Sequence, residues 1–133
     1  MSSNTAEKIT NIMELVAERA GDITERVFAR YFELCSDSRD LMDHTDEYMR
    51  GRMMSQVLLL LMEPGEEELS SYLEFETSAH EAYGVKQHMY KNLLEAVREV
   101  VAETLGDTFD EEMDAALKAR SAYLLEAIAD ATV

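Results

Sequence analysis

Apolar residues recur along this chain at three- and four-residue steps, and almost nowhere in strict alternation. That period belongs to helices packing one face inward. Ile9, Ile12, Met13 and Val16 predict a first helix from about Thr5 to Ala20, closed by Gly21. Asp22 and Glu25 stand three apart as in a capping box, and Ile23, Val27, Phe28, Tyr31 and Phe32 mark the buried face of the helix they would open. Ser36 to Met42 reads as a short helical corner and Asp43 to Asp46 as a polar turn, with Asp46 and Glu47 suited to the next first turn. Met49, Met53, Val57, Leu60 and Leu61 then share one side of a helix. Its second half is apolar nearly all round, which predicts a helix sandwiched inside the domain.

Pro64-Gly65 stops that helix and Glu66 to Glu68 gives the next one a solvated start. Leu69, Tyr72, Leu73, Glu76 and His80 fall on one face of this fifth element. From Lys86 a sixth helix buries Met89, Leu93, Val97, Val100 and Val101 until Gly106-Asp107 breaks it. Thr108 and Glu111 are spaced to cap the last helix, whose stripe is Met113, Ala116, Leu117, Leu124 and Ile128. The expectation is an all-α chain with six long helices and one short corner. It has no repeat or interdomain linker, so residues 1–133 are expected to form a single domain.

Charge narrows the function classes. Twelve basic residues against 28 acidic ones give a net charge of −16. Such a surface repels phosphate backbones, so nucleic acid is not an expected partner. The longest apolar run, Val57 to Met62, is too short to cross a bilayer, and the start lacks a basic, apolar, small-residue signal. With Cys35 as the lone cysteine, no internal disulfide is possible, and a soluble cytoplasmic protein without membrane partners is expected. Cys35 itself, near a helix end, reads as a small packing residue. No nucleophile motif, phosphate-binding glycine loop or paired-cysteine site is present, so an enzyme activity is not the expectation.

The densest chemistry lies in His80-Glu-Ala-Tyr83-Gly84-Val85-Lys86 and the Tyr90 that follows. Gly84 can take the left-handed conformation that closes a helix, leaving His80 on the last turn before a bend. A histidine there suits a metal ligand, and equally a cation near the carbonyls of a helix end. The wording His-x-x-Tyr-Gly-Val-Lys-x-x-x-Tyr resembles the proximal-histidine segment of bacterial single-domain globins and of flavohaemoglobin globin domains. Upstream, Ile23-Thr24-x-x-x-Phe28-x-Arg30-x-Phe32 is similar to their second helix. A globin-like fold, with unequal helices packed steeply around a haem pocket, also suits the short corner better than a uniform antiparallel bundle does.

The resemblance implies haem b, with its iron held by His80, and a diatomic gas (oxygen, nitric oxide or carbon monoxide) on the opposite face. Oxygen binding or transport is the family activity it suggests. Nitric oxide dioxygenation would require an external reductase, since the chain has no flavin or nicotinamide domain. Phe28, Met42, Met49, Met53, Val85, Tyr90 and Leu93 become pocket residues, and Arg52 and Lys86 candidates for the haem propionates.

Several positions depart from the family. Phe28 stands where a tyrosine usually donates to bound oxygen, Met42 where a phenylalanine wedges the haem, and Met49 near the place of a distal His or Gln. Glu76 replaces an apolar residue one turn before His80 and is a possible acceptor for its second ring nitrogen. The implied cavity is greasy, with Met49 as an alternative sixth ligand and Tyr48 as an alternative donor. For each methionine alone, gap filling in the core is the plainer reading. His44 and His88 are expected to face solvent. The competing function is a globin-like signalling or interaction module that has lost its haem, its acidity guiding a basic partner. The sequence sets no oligomeric state.

Overall fold

The computed structural model describes residues 3–62 and 87–131, with side chains from 5 to 62 and 87 to 129. Six α-helices follow one another there: α1 (Ser3–Ala20), α2 (Thr24–Leu34), α3 (Ser36–Leu41), α4 (Glu47–Met62), α5 (Gln87–Leu105) and α6 (Glu111–Ala131). A 3₁₀ turn, Gly106–Thr108, links the last two, and the described residues contain no strand. The expected fifth helix, with its Pro64 stop, Glu76, His80, Val85 and Lys86, falls outside the described residues.

The strongest crossing is α2 on α5. Val27 on one side and Val97, Val100 and Val101 on the other are sealed from water. Each such side chain contributes roughly 1.5–3 kcal/mol relative to exposure. A polar seam runs beside them: Arg30 pairs with Glu99 at 2.8 Å and with Glu103, while Arg26 donates to Thr104. α6 lies against α1, α4 and α5, and α4 also touches α1 and α2. The predicted stripe of α1 is buried throughout, as is that of α6 except for the half-buried Met113.

Both predicted capping boxes are corrected. Asp22 does not cap α2 as N-cap; its Oδ1 accepts from the amide and hydroxyl of Thr24 at 2.9 and 2.6 Å, a tight turn that delays the helix to Thr24. Those bonds hold the Asp22 carboxyl below its usual range. Glu25 reaches instead to Arg50 on α4. At the last helix Asp110, not Thr108, accepts the amide of Met113 at 2.9 Å, and Thr108 accepts from Arg19. Gly21 and Gly106 do close their helices, with φ of 66° and 54°.

The α4 register also differs from the expected one. Its fully buried residues are Met54 and Leu61, whereas Met53, Val57 and Leu60 are half-buried. At about 100° per residue, the deep side of α4 is turned by roughly a quarter circle from the Met49–Met53–Leu60 side. Met49 keeps 39 % of its surface exposed and Leu59 60 %, so α4 is not enclosed on all sides.

One buried charge escaped the pattern entirely. Arg120, 1 % exposed, interrupts the apolar stripe of α6. Its Nε and Nη2 donate to the Leu60 carbonyl at 3.0 and 2.8 Å, and its guanidinium lies 4.8 Å from the Tyr123 ring centroid. The reason is legible in the chain. The carbonyl of Leu60 would ordinarily accept from the amide four residues on, but position 64 is proline and has no amide proton. Arg120 supplies the missing donor to the end of α4.

Candidate functional site

α2, the α3 corner, α4 and the start of α5 carry the described members of the expected pocket. Phe28 is buried and belongs to an aromatic run: its ring centroid is 6.2 Å from Tyr31 and 6.1 Å from Phe32. Such spacing suits edge and tilted ring contacts. Met42, Met53, Tyr90 and Leu93 are half-buried against the core, and Met49 is exposed. Arg52 does not join them. It lines a separate cleft of about 460 Å³ between α1, α2 and α4, together with Met13, Tyr48 and Met54. His80, Val85 and Lys86 lie outside the described residues.

Burial along α5 changes in a way that bears on a ligand. Val97, Val100 and Val101, on its inner face, are sealed; nearer its start Met89 and Leu94 are buried too, while Tyr90 and Leu93 between them are only half-covered. On α4 the deep side, Met54 and Leu61, is sealed, while Met53, Val57 and Leu60 on its flank are half-covered. Apolar surface left in this state is what a flat apolar ligand covers. On α2, α4 and α5 the named pocket residues supply apolar area and thioethers, with the phenol of Tyr90 among them. Tyr48, the alternative donor, is exposed and lines the other cleft.

A second cluster was missed from sequence. Cys35 sits between α2 and α3 with an extended backbone, φ −141° and ψ 82°. Residues two apart on a helix do not face each other, but this break lets Cys35 Sγ come within 2.9 Å of Asp37 Oδ1 and donate to it. The other carboxylate oxygen, Oδ2, lies 2.8 Å from His88 Nε2 on the first turn of α5. His88 faces solvent as expected, and it is partnered there by Asp37. Below them the Ser38 hydroxyl is 2.6 Å from the Tyr31 hydroxyl and 3.2 Å from Cys35 Sγ. With one proton, Ser38 donates to one and accepts from the other. The Cys35 thiol and then His88 hold the Asp37 carboxyl below its usual range, whereas burial pushes the Tyr31 phenol up to about 12. The signal was available in the Cys-x-Asp spacing, but its partner lies 51 residues away. No helix among the described residues is long and apolar enough to cross a membrane. No protein-family model matches the chain, and no curated protein matches it.

Proposed function

We propose that the protein is a haem-binding globin that takes up a diatomic gas at an iron held by His80. The observation that supports this reading is the burial just described: Val97, Val100 and Val101 on the inner face of α5 are sealed, while Tyr90 and Leu93 on that face and Met53, Val57 and Leu60 on the flank of α4 are half-covered. The order of helices supports it as well, with a six-residue corner, Ser36–Leu41, between α2 and α4 and a tight α2–α5 crossing. When bound, the haem iron supplies the site for the gas.

The chain's own side chains do the rest. Phe28 and Met53 exclude water from the distal space, and Met42 takes the place of the usual aromatic wedge. Neither Phe28 nor Met49 has a hydrogen-bond donor to offer a gas ligand, so the distal side would favour carbon monoxide and nitric oxide relative to oxygen. Arg52, which also lines the other cleft, and Lys86 are the candidates for the haem propionates. The test is a haem titration of the purified protein. One haem per chain with an intense Soret band, lost or shifted in His80→Ala, supports the reading. A chain that stays colourless after haem is added refutes it and favours a module that acts without a cofactor.

A further inference from the structure

Cys35, Asp37 and His88 bring a sulfur, a carboxylate oxygen and an imidazole nitrogen within 4.8 Å of one another. We infer that these three side chains form a site for a zinc-like divalent cation, independent of any haem. The donor set argues for the metal. Thiolate, carboxylate and imidazole are the three side-chain types that zinc takes, whereas calcium and magnesium want oxygen alone.

The geometry argues for it too. Zinc–ligand distances of about 2.0–2.3 Å at tetrahedral angles place ligand atoms about 3.4–3.6 Å apart. The thiol and carboxylate start at 2.9 Å, joined by a hydrogen bond whose proton the metal would replace. That pair opens slightly while the three donors, all within 4.8 Å of one another, draw together around the ion; the half-exposed Asp37 and His88 can move and Cys35, 3 % exposed, stays fixed at the floor. Charge balances as well: Cys35–SH and Asp37–COO⁻ with neutral His88 and Zn²⁺ give a neutral site and release one proton from the thiol. A water completes four coordination. The metal would clip the α2–α3 corner to the start of α5, the two elements that flank the half-covered apolar surface.

The experiment is competition for Zn²⁺ between the protein and a chromophoric chelator, beside Cys35→Ser, Asp37→Asn, His88→Gln and His80→Ala. Each variant's helix content is checked by circular dichroism. The expected result is one zinc per wild-type chain with a proton released. Cys35→Ser and His88→Gln should weaken uptake at least ~10–100-fold, the loss typical even of a ligand's outer partner, and His80→Ala should leave it unchanged. Failure of the wild type to take up stoichiometric zinc overturns the site. So does uptake that survives Cys35→Ser and His88→Gln, since it would then reside on the acidic surface, and so does uptake lost in His80→Ala alone.

Discussion

The α2–α5 crossing and the α4 helix are built from the same kinds of residue and finished differently. At the crossing, Val27, Val97, Val100 and Val101 meet with almost no exposed surface, and Arg30 ties the rim to Glu99 and Glu103. On α4 only Met54 and Leu61 are sealed, while Met49 and Leu59 face out and Met53, Val57 and Leu60 are half-covered. The crossing accounts for stability with the chain's own atoms. Among the described residues, α4 carries more half-covered apolar area than the crossing does, and such area in a chain of net charge −16 has a solubility cost unless something covers it.

The largest expected effect lies at the sealed end of α5. Leu105→Ala should lower unfolding free energy by about 2–5 kcal/mol in urea, the range for deleting a buried leucine. A cost under ~1 kcal/mol would mean that this end is not tightly packed. Next comes the joint between α4 and α6. Arg120→Leu leaves the Leu60 carbonyl without its guanidinium donors and should cost about 1–3 kcal/mol. Arg120→Lys should recover part of that, because one ammonium donor can still reach; equal losses in the two variants would contradict the capping role.

A smaller effect is read in acid. Hydrogen bonds from Arg98 hold Glu95 low, and for Asp114 burial alone would raise the carboxyl but Lys118 and Arg98 outweigh it. Both titrate lower folded than unfolded, so their stabilisation is full above about pH 4.3 and is lost as pH falls through the folded values. Protonating the many unpaired carboxylates relieves self-repulsion and acts the other way. The clean quantity is therefore the difference between wild type and Arg98→Gln, which should shrink steadily from pH 5 toward 3 on the order of these carboxylate pKa values. A constant difference would show that the pair does not respond as described. The smallest effect belongs to α4: Leu59→Ser should change stability by no more than ~0.5 kcal/mol. A loss as large as that of Leu105→Ala would erase the contrast between the two regions.

Much of this architecture was readable from spacing. The stripes of α1 and α2 emerge as expected, and the α3 corner ends within a residue of its forecast. What spacing misjudged were matters of competition between neighbours. Asp22 fits a capping box in pattern, but Thr24 offers it two closer donors. Asp110 takes the α6 cap because the helix starts at Glu111, directly after it, while Thr108 belongs to the preceding 3₁₀ turn and accepts from Arg19. Arg120 went unmarked within the stripe of α6 because its partner is a carbonyl 60 residues back, deprived of its amide by Pro64. For the candidate pocket, Phe28, Met42, Met53, Tyr90 and Leu93 were legible as partners to the core, whereas the cleft that Arg52 lines between α1, α2 and α4 was not: one-dimensional counting locates a residue on a helix but not which neighbour that side of the helix meets.

The half-covered surface of α4 and early α5 is the heart of the proposal, and gas binding tests it most directly. The absorption spectrum of the haem-loaded, reduced protein should shift on adding carbon monoxide, and Met53→Asp, which sets a charge on that surface, should weaken haem uptake while Leu59→Ser does not. A spectrum indifferent to carbon monoxide, or haem uptake that Met53→Asp leaves intact, would contradict it.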